Sequence, residues 1–133
     1  MKKALSVILT IVMVVCMLPF SITASAYTSN LTGDCTWSLE GTVLTISGNG
    51  AMGDYSDAAP SPWGKNITEV IIESGVTDIG DWAFDSCYSL TSVTIENGVL
   101  SIGEQSFFDC QNLSYIYLGD NARAPYGTRS FDV

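Results

Sequence analysis

The sequence predicts a mostly β chain with short helical turns, wound as a right-handed solenoid of 23-residue repeats behind a β-hairpin cap. Three observations carry this. The segments Ile67 to Ser89 and Leu90 to Asn112 align without a gap at a period of 23, and a third copy opens at Leu113. Within each copy, apolar residues alternate and then meet a glycine turn. The chain has only 133 residues, which is room for one small domain and too little for a doubly wound or barrel enzyme. A fixed period outranks any single motif. One copy cannot bury its own apolar side, whereas stacked copies bury a continuous column.

Residues 1–26 read as a secretory signal. Lys2 and Lys3 form a basic start, and Ala4 to Ile22 is apolar apart from Ser6, Thr10 and Ser21. Ala24-Ser25-Ala26 has the small-x-small pattern of a cleavage site. The competing reading is a membrane anchor, which the helix-breaking Pro19 and the cleavage site disfavour. Cys16 lacks the small residue expected before a lipidated cysteine, so it reads as part of the signal. No second apolar run follows. The expected product is a secreted or cell-surface bacterial protein of 107 residues, Tyr27 to Val133. Its bases are Lys65, Arg123 and Arg129 against 14 acids, a charge of −11. That charge opposes binding to nucleic acid or to an anionic membrane surface. Cys35, Cys87 and Cys110 remain, so at most one bridge can form within the chain.

Residues 27–66 read as an N-terminal cap. Tyr27 to Asp34 is a polar leader. Thr36 to Leu39 and Thr42 to Ser47 form a hairpin about Glu40-Gly41, placed to cover the open end of the first coil. Gly48 to Gly64 is a Gly/Ala/Pro-rich loop carrying Met52, Tyr55 and Trp63, with Trp63 read as a packing plug.

Residues 67–119 hold two full repeats and one partial repeat. The columns are Ile67/Leu90/Leu113, Val70/Val93/Ile116, Ile72/Ile95/Leu118, Val76/Val99, Ile79/Ile102, Phe84/Phe107 and Cys87/Cys110. Val70 and Ile72 are two apart, so they share one side of a strand, while Glu69, Ile71 and Glu73 share the other. Ser74-Gly75 and Asn97-Gly98 end the strands as turn dipeptides. Gly80 and Gly103 permit either a bend at positive φ or a close approach of coils. Asp81 to Ser86 and Glu104 to Asp109 then carry Ala83-Phe84 and Ser106-Phe107 inward on a short helical or irregular turn. The tail, 120–133, shows no repeat register and reads as a weak cap or a remnant.

These residues carry a family resemblance. The pattern L-x-x-V-x-I-x-x-G-V-x-x-I-G-x-x-[AS]-F-x-x-C resembles the BspA-like, surface-antigen type of leucine-rich repeat, and Cys35 to Trp63 resembles the lead-in to such repeats. The resemblance implies a leucine-rich-repeat solenoid. It also implies adhesion or protein binding at a bacterial surface, with host matrix and plasma proteins as the class of partner.

The chemistry that the residues offer is sparse. Without histidine there is no Ser-His-Asp or Cys-His arrangement and no common zinc site. Cys87 and Cys110 share one repeat slot, so they read as stacked buried thiols rather than a metal or redox pair. Asp78, Asp81, Asp85, Glu104 and Asp109 lie on turns without the spacing of a calcium loop, and read as solvated turn acids. No catalytic residue, cofactor site or metal site is predicted. The candidate site is the outward strand face, where stacking aligns Glu69/Ser92/Tyr115, Ile71/Thr94/Tyr117 and Glu73/Glu96. Exposed aromatic residues beside acids suit a protein contact, although the same residues are ordinary strand formers. The sequence therefore predicts a non-catalytic module for protein binding or adhesion. The alternative is a capping or targeting fragment of a longer exported protein or enzyme.

Overall fold

The computed structural model describes residues 30–120, 130 and 131. The expected signal at 1–26 and most of the tail lie outside them. Among the described residues there are nine strands and no helix. They are β1 Leu31–Thr32, β2 Cys35–Glu40, β3 Val43–Gly48, β4 Gly50–Ala51, β5 Glu69–Ile72, β6 Val76–Ile79, β7 Ser92–Ile95, β8 Ser101–Ile102 and β9 Tyr115–Leu118. A six-stranded sheet runs β1-β2-β3-β5-β7-β9, and a three-stranded sheet runs β4-β6-β8.

The period of 23 becomes a parallel register. β5 pairs with β7 as Val70↔Val93 and Ile72↔Ile95, and β7 pairs with β9 as Val93↔Ile116 and Ile95↔Leu118. Thr91 N–H donates to the Thr68 carbonyl at 2.9 Å, and Ser114 N–H donates to the Thr91 carbonyl at 3.1 Å. Each coil thus binds the one before it at the same point. The segments expected to be helical or irregular turns, 81–86 and 104–109, are turns. Each repeat holds two non-glycine residues at positive φ in matching places: Trp82 and Gln105, then Ser86 and Asp109. These left-handed residues bend the coil back beneath Phe84 and Phe107.

The glycines divide their two possible roles. Gly75 and Gly98 have φ of 114° and 124°, a region favourable only to glycine. Gly80 and Gly103 are not in that region; they are sites of close approach. A Cβ on Gly103 would lie 2.7 Å from the Gly80 carbonyl carbon.

The hairpin stands where it is expected, with Gly41 at φ 62° in its turn. It is also more than a cap. β3 pairs in parallel with β5 as Leu44↔Val70 and Ile46↔Ile72, and β4 pairs in parallel with β6. Met52 N–H donates to the Asp78 carbonyl at 3.0 Å, and Tyr55 N–H to the Asp81 carbonyl at 2.9 Å. The chain from Val43 onward therefore already runs as a coil stacked on the first repeat. Its spacing to that repeat is 26 residues rather than 23, so a search at one fixed period passes over it.

The core is one column along the stack. Leu44, Val70 and Val93 are fully buried, as are Ile46, Ile72 and Ile95. Rings form a second column: Trp63 stacks on Phe84 at 5.5 Å, Phe84 on Phe107 at 4.9 Å, and Phe107 on Phe131 at 5.0 Å. Trp63 is the plug that the sequence predicts, with its Nε1–H donating to the Ala83 carbonyl at 3.0 Å. Phe131 corrects the reading of the tail as free of repeat register. Ser130-Phe131 takes the place of Ser106-Phe107 one coil on, at a spacing of 24, and Phe107 N–H donates to the Ser130 carbonyl at 2.9 Å. At β9 the column is less enclosed by the described residues: Ile116 is 39% exposed and Leu118 36% exposed. Both sit on the core side, and among the described residues no strand lies beyond β9.

Candidate functional site

The side of the six-stranded sheet that faces away from the core is a continuous surface crossing all six strands. Alternation along each strand sends every second residue there. The structure aligns Glu69↔Ser92↔Tyr115 and Ile71↔Thr94↔Tyr117 by direct register. Glu73 and Glu96 follow β5 and β7 at matching places, since Glu96 N–H donates to the Ile72 carbonyl at 2.9 Å. All eight sequence-predicted residues lie on this face. Tyr115 and Tyr117 are 57% and 48% exposed. Glu73 is exposed, and Glu69, Ile71, Ser92, Thr94 and Glu96 are half-buried by their neighbours.

The face is wider than the repeat indicates. β3 adds Val43 and Thr45 beside Glu69 and Ile71, and β2 adds Ser38 and Glu40 beside them. Alternation within Thr42 to Ser47 marks these positions as one side of a strand. The 26-residue spacing conceals which strand they join.

The electrostatics of the face are one-sided. Glu69, Glu73, Glu96 and Glu40 lie on it, and no lysine or arginine does among the described residues. Glu96 is fixed in place: its carboxylate accepts the Ser74 N–H at 2.9 Å. With Thr94, Asn97 and Tyr117 it borders a shallow recess.

A second recess lies away from the sheet, bordered by Ser56, Asp57, Pro60, Ser61, Lys65, Trp82, Asp85 and Ser86. Its single base is committed. Lys65 Nζ donates to the Asp85 carbonyl and lies 3.4 Å from the Asp85 carboxylate.

Of the turn acids, Glu104 is exposed, while Asp78 and Asp81 also accept hydrogen bonds from the next coil. Asp81 accepts the Glu104 N–H at 2.7 Å, and Asp54 accepts the Asp81 N–H at 2.9 Å. Asp78 accepts hydroxyls from Ser101 and from Thr77, which hold its carboxyl below the usual range. These acids join one coil to the next. Among the described residues no group of three or more His, Cys, Asp or Glu could hold a metal ion.

Cys35, Cys87 and Cys110 are buried and free. The Cys110 thiol donates to the Phe84 carbonyl at 3.2 Å. Burial pushes the Cys87 thiol up to about 12, with a further rise from neighbouring Cys110. Burial likewise pushes Cys110 to about 11. Two results are expected. At pH 8 neither thiol reacts with a maleimide until the chain unfolds. Above about pH 9 stability falls, because the unfolded thiols ionise and release protons that the folded ones retain. Thiol titration and unfolding curves from pH 7 to 11 check both. Rapid native labelling, or a flat alkaline limb, would contradict this assignment.

The family model described as a BspA type leucine-rich repeat region, six copies, matches residues 63–132. Two solved structures are similar. A leucine-rich repeat protein from Eubacterium ventriosum is 41% identical, with a TM-score of 0.63, and the match covers 74% of this chain and 27% of that one. The T. pallidum leucine-rich repeat protein TpLRR is 20% identical, with a TM-score of 0.47, over 71% of this chain and 51% of that one. The chain thus spans about a quarter of the first protein and half of the second. No curated protein matches.

Proposed function

The chain belongs to the BspA-type leucine-rich repeat family, and from that premise we propose that it is an exported, non-catalytic module that binds protein through the outward face of its six-stranded sheet. The observation that carries this reading is the alignment of Tyr115 and Tyr117, both about half exposed, with Thr94, Ile71 and the carboxylates of Glu69, Glu73 and Glu96 across three parallel strands. The face is backed by a hydrogen-bonded sheet in which β2, β3, β5 and β7 are each held by two neighbours and β9 is held by β7. Tyrosine adds large contact area for few rotatable bonds, so it binds at low entropic cost. The apolar leader with its Ala24-Ser25-Ala26 site supports export. Family membership supports adhesion at the bacterial surface, with matrix or plasma proteins as partners. The lack of histidine and the shallowness of the face support a role without catalysis.

The test is saturable binding to a panel of immobilised matrix and plasma proteins. The Tyr115→Ala, Tyr117→Ala double variant should lose at least about tenfold in affinity, the scale of one interface tyrosine. Both side chains point away from the core, so the fold should persist by circular dichroism. Unchanged binding by a folded double variant, or no binding across the panel, would count against the reading.

A further inference from the structure

Two Asn-Gly dipeptides occur in the sequence, Asn49-Gly50 and Asn97-Gly98. In such a pair the asparagine side-chain carbonyl lies within reach of the next backbone nitrogen, and glycine has no Cβ to obstruct the approach. Ring closure needs two freedoms: an asparagine side chain that can turn, and a following N–H that no acceptor holds. The sequence ranks the two sites on neither count, because the dipeptides are identical. The structure separates them. Both asparagines are exposed, and among the described residues neither side chain makes a hydrogen bond. Gly50 is fixed on both sides. It lies in β4, its N–H donates to the Gly75 carbonyl at 3.0 Å, and its carbonyl accepts the Cys35 thiol at 3.3 Å. Gly98 lies in a turn outside every strand. Among the described residues no acceptor takes its N–H. That freedom belongs to the turn itself. Gly75, one repeat earlier, is packed between described coils, against Gly48 on one side and Gly98 on the other, and its N–H likewise makes no bond.

We propose that Asn97 is a site of spontaneous deamidation in the folded protein, and that Asn49 is shielded by the bond between Gly50 and Gly75. The Gly98 nitrogen attacks the Asn97 side-chain carbonyl carbon. A C–N bond forms there, the bond to the side-chain amide nitrogen breaks, and ammonia leaves with the proton from the Gly98 nitrogen. The product is a cyclic succinimide. Water then opens it at one of its two carbonyls. Cleavage between the nitrogen and the side-chain carbonyl leaves an aspartate at position 97. Cleavage between the nitrogen and the main-chain carbonyl leaves an isoaspartate, with the chain routed through the side chain. Overall one water enters and one ammonia leaves, and nothing is oxidised or reduced. Asn49 cannot follow this course until the Gly50 bond breaks and β4 lifts from β6, a local opening of the stack. The position gives the change a consequence. Asn97 borders the recess with Thr94, Glu96 and Tyr117, so either product adds a negative charge to an already acidic face. Isoaspartate also lengthens the main chain where two coils touch, since a Cβ on Gly119 would lie 2.7 Å from the Asn97 nitrogen. No partner takes part in this chemistry, so its test is independent of binding at the face.

The experiment holds the full chain in warm buffer at pH 8, once native and once in denaturing guanidinium chloride. Peptide mass spectrometry follows conversion of amide to acid at positions 49 and 97, and enzymatic methylation counts isoaspartate. Each site's native rate is divided by its own denatured rate, which removes the influence of local sequence. The ratio at 97 should exceed the ratio at 49 by about tenfold or more, the scale of one backbone hydrogen bond that must open first. On ion exchange the native chain should give a more acidic form as it ages, and Asn97→Gln should slow the appearance of that form by a similar factor. Equal ratios at the two sites, a higher ratio at 49, or a native chain that stays unmodified at 97 would overturn the proposal. Where Asn97→Gln fails to fold by circular dichroism, the two ratios in the unchanged chain decide.

Discussion

Phe84→Ala is expected to destabilise the protein by about 3–5 kcal/mol, a large part of the roughly 5–15 kcal/mol typical of a domain. The ring is fully buried, lies between Trp63 at 5.5 Å and Phe107 at 4.9 Å, and stacks nearly parallel to both. Its loss opens a void in the middle of the column. That void cannot collapse easily, because backbone hydrogen bonds between coils, such as Phe84 N–H to the Ser106 carbonyl at 2.7 Å, fix their spacing. The effect should be graded along the stack. Phe131 is only half-buried and is the last described ring of the column, so Phe131→Ala should cost less than half as much. Urea unfolding of the two variants measures the difference. Equal losses would mean that the rings do not act as one column. Because repeat arrays communicate through nearest neighbours, Phe84→Ala should also lower hydrogen-exchange protection in β3 and β7, the strands on either side of its coil.

The second large effect is expected from Gly80→Ala. A Cβ there would collide with the Gly53 carbonyl oxygen and lie 2.7 Å from the Gly53 carbonyl carbon. Both are backbone atoms of the adjacent coil and cannot rotate away. The substitution must pry the coils apart at the point where Asp54 accepts the Asp81 N–H and Tyr55 N–H meets the Asp81 carbonyl. A loss of about 3 kcal/mol or more follows, at the upper end for overpacking. Gly41→Ala is the contrast. Gly41 has φ 62° but nothing within 4 Å of a Cβ, so the cost is the left-handed backbone alone, about 1–2 kcal/mol. Thermal unfolding of the pair separates steric from conformational cost. A Gly80→Ala protein as stable as the Gly41→Ala one would show that the coils are not in contact there.

These two glycines illustrate how far the sequence could be read. Gly80 recurs at Gly103, so its importance was visible, but recurrence does not distinguish a positive φ from a close approach. That distinction needs the neighbouring coil, and the neighbour of Gly80 is Gly53, 27 residues earlier and outside the repeat. The candidate face shows the same division. The alignment of Glu69, Ser92 and Tyr115 was legible because one period governs β5, β7 and β9. The adjacency of Val43 and Thr45 was not legible, since the coil before the first repeat carries three extra residues.

By itself the sequence determined what is periodic: the strand positions, their inward and outward sides, the register of Val70 on Val93 on Ile116, and the shared slot of the cysteines. Each is a consequence of local alternation copied at a constant interval. Only the tertiary structure decided what breaks that interval. It set the Val43 to Tyr55 segment as a coil in its own right and returned Ser130-Phe131 to the aromatic column at a spacing of 24. The physical reason is that a repeat specifies how one coil sits on the next. Where a stack starts depends on contacts between coils of unequal length, which no single period encodes.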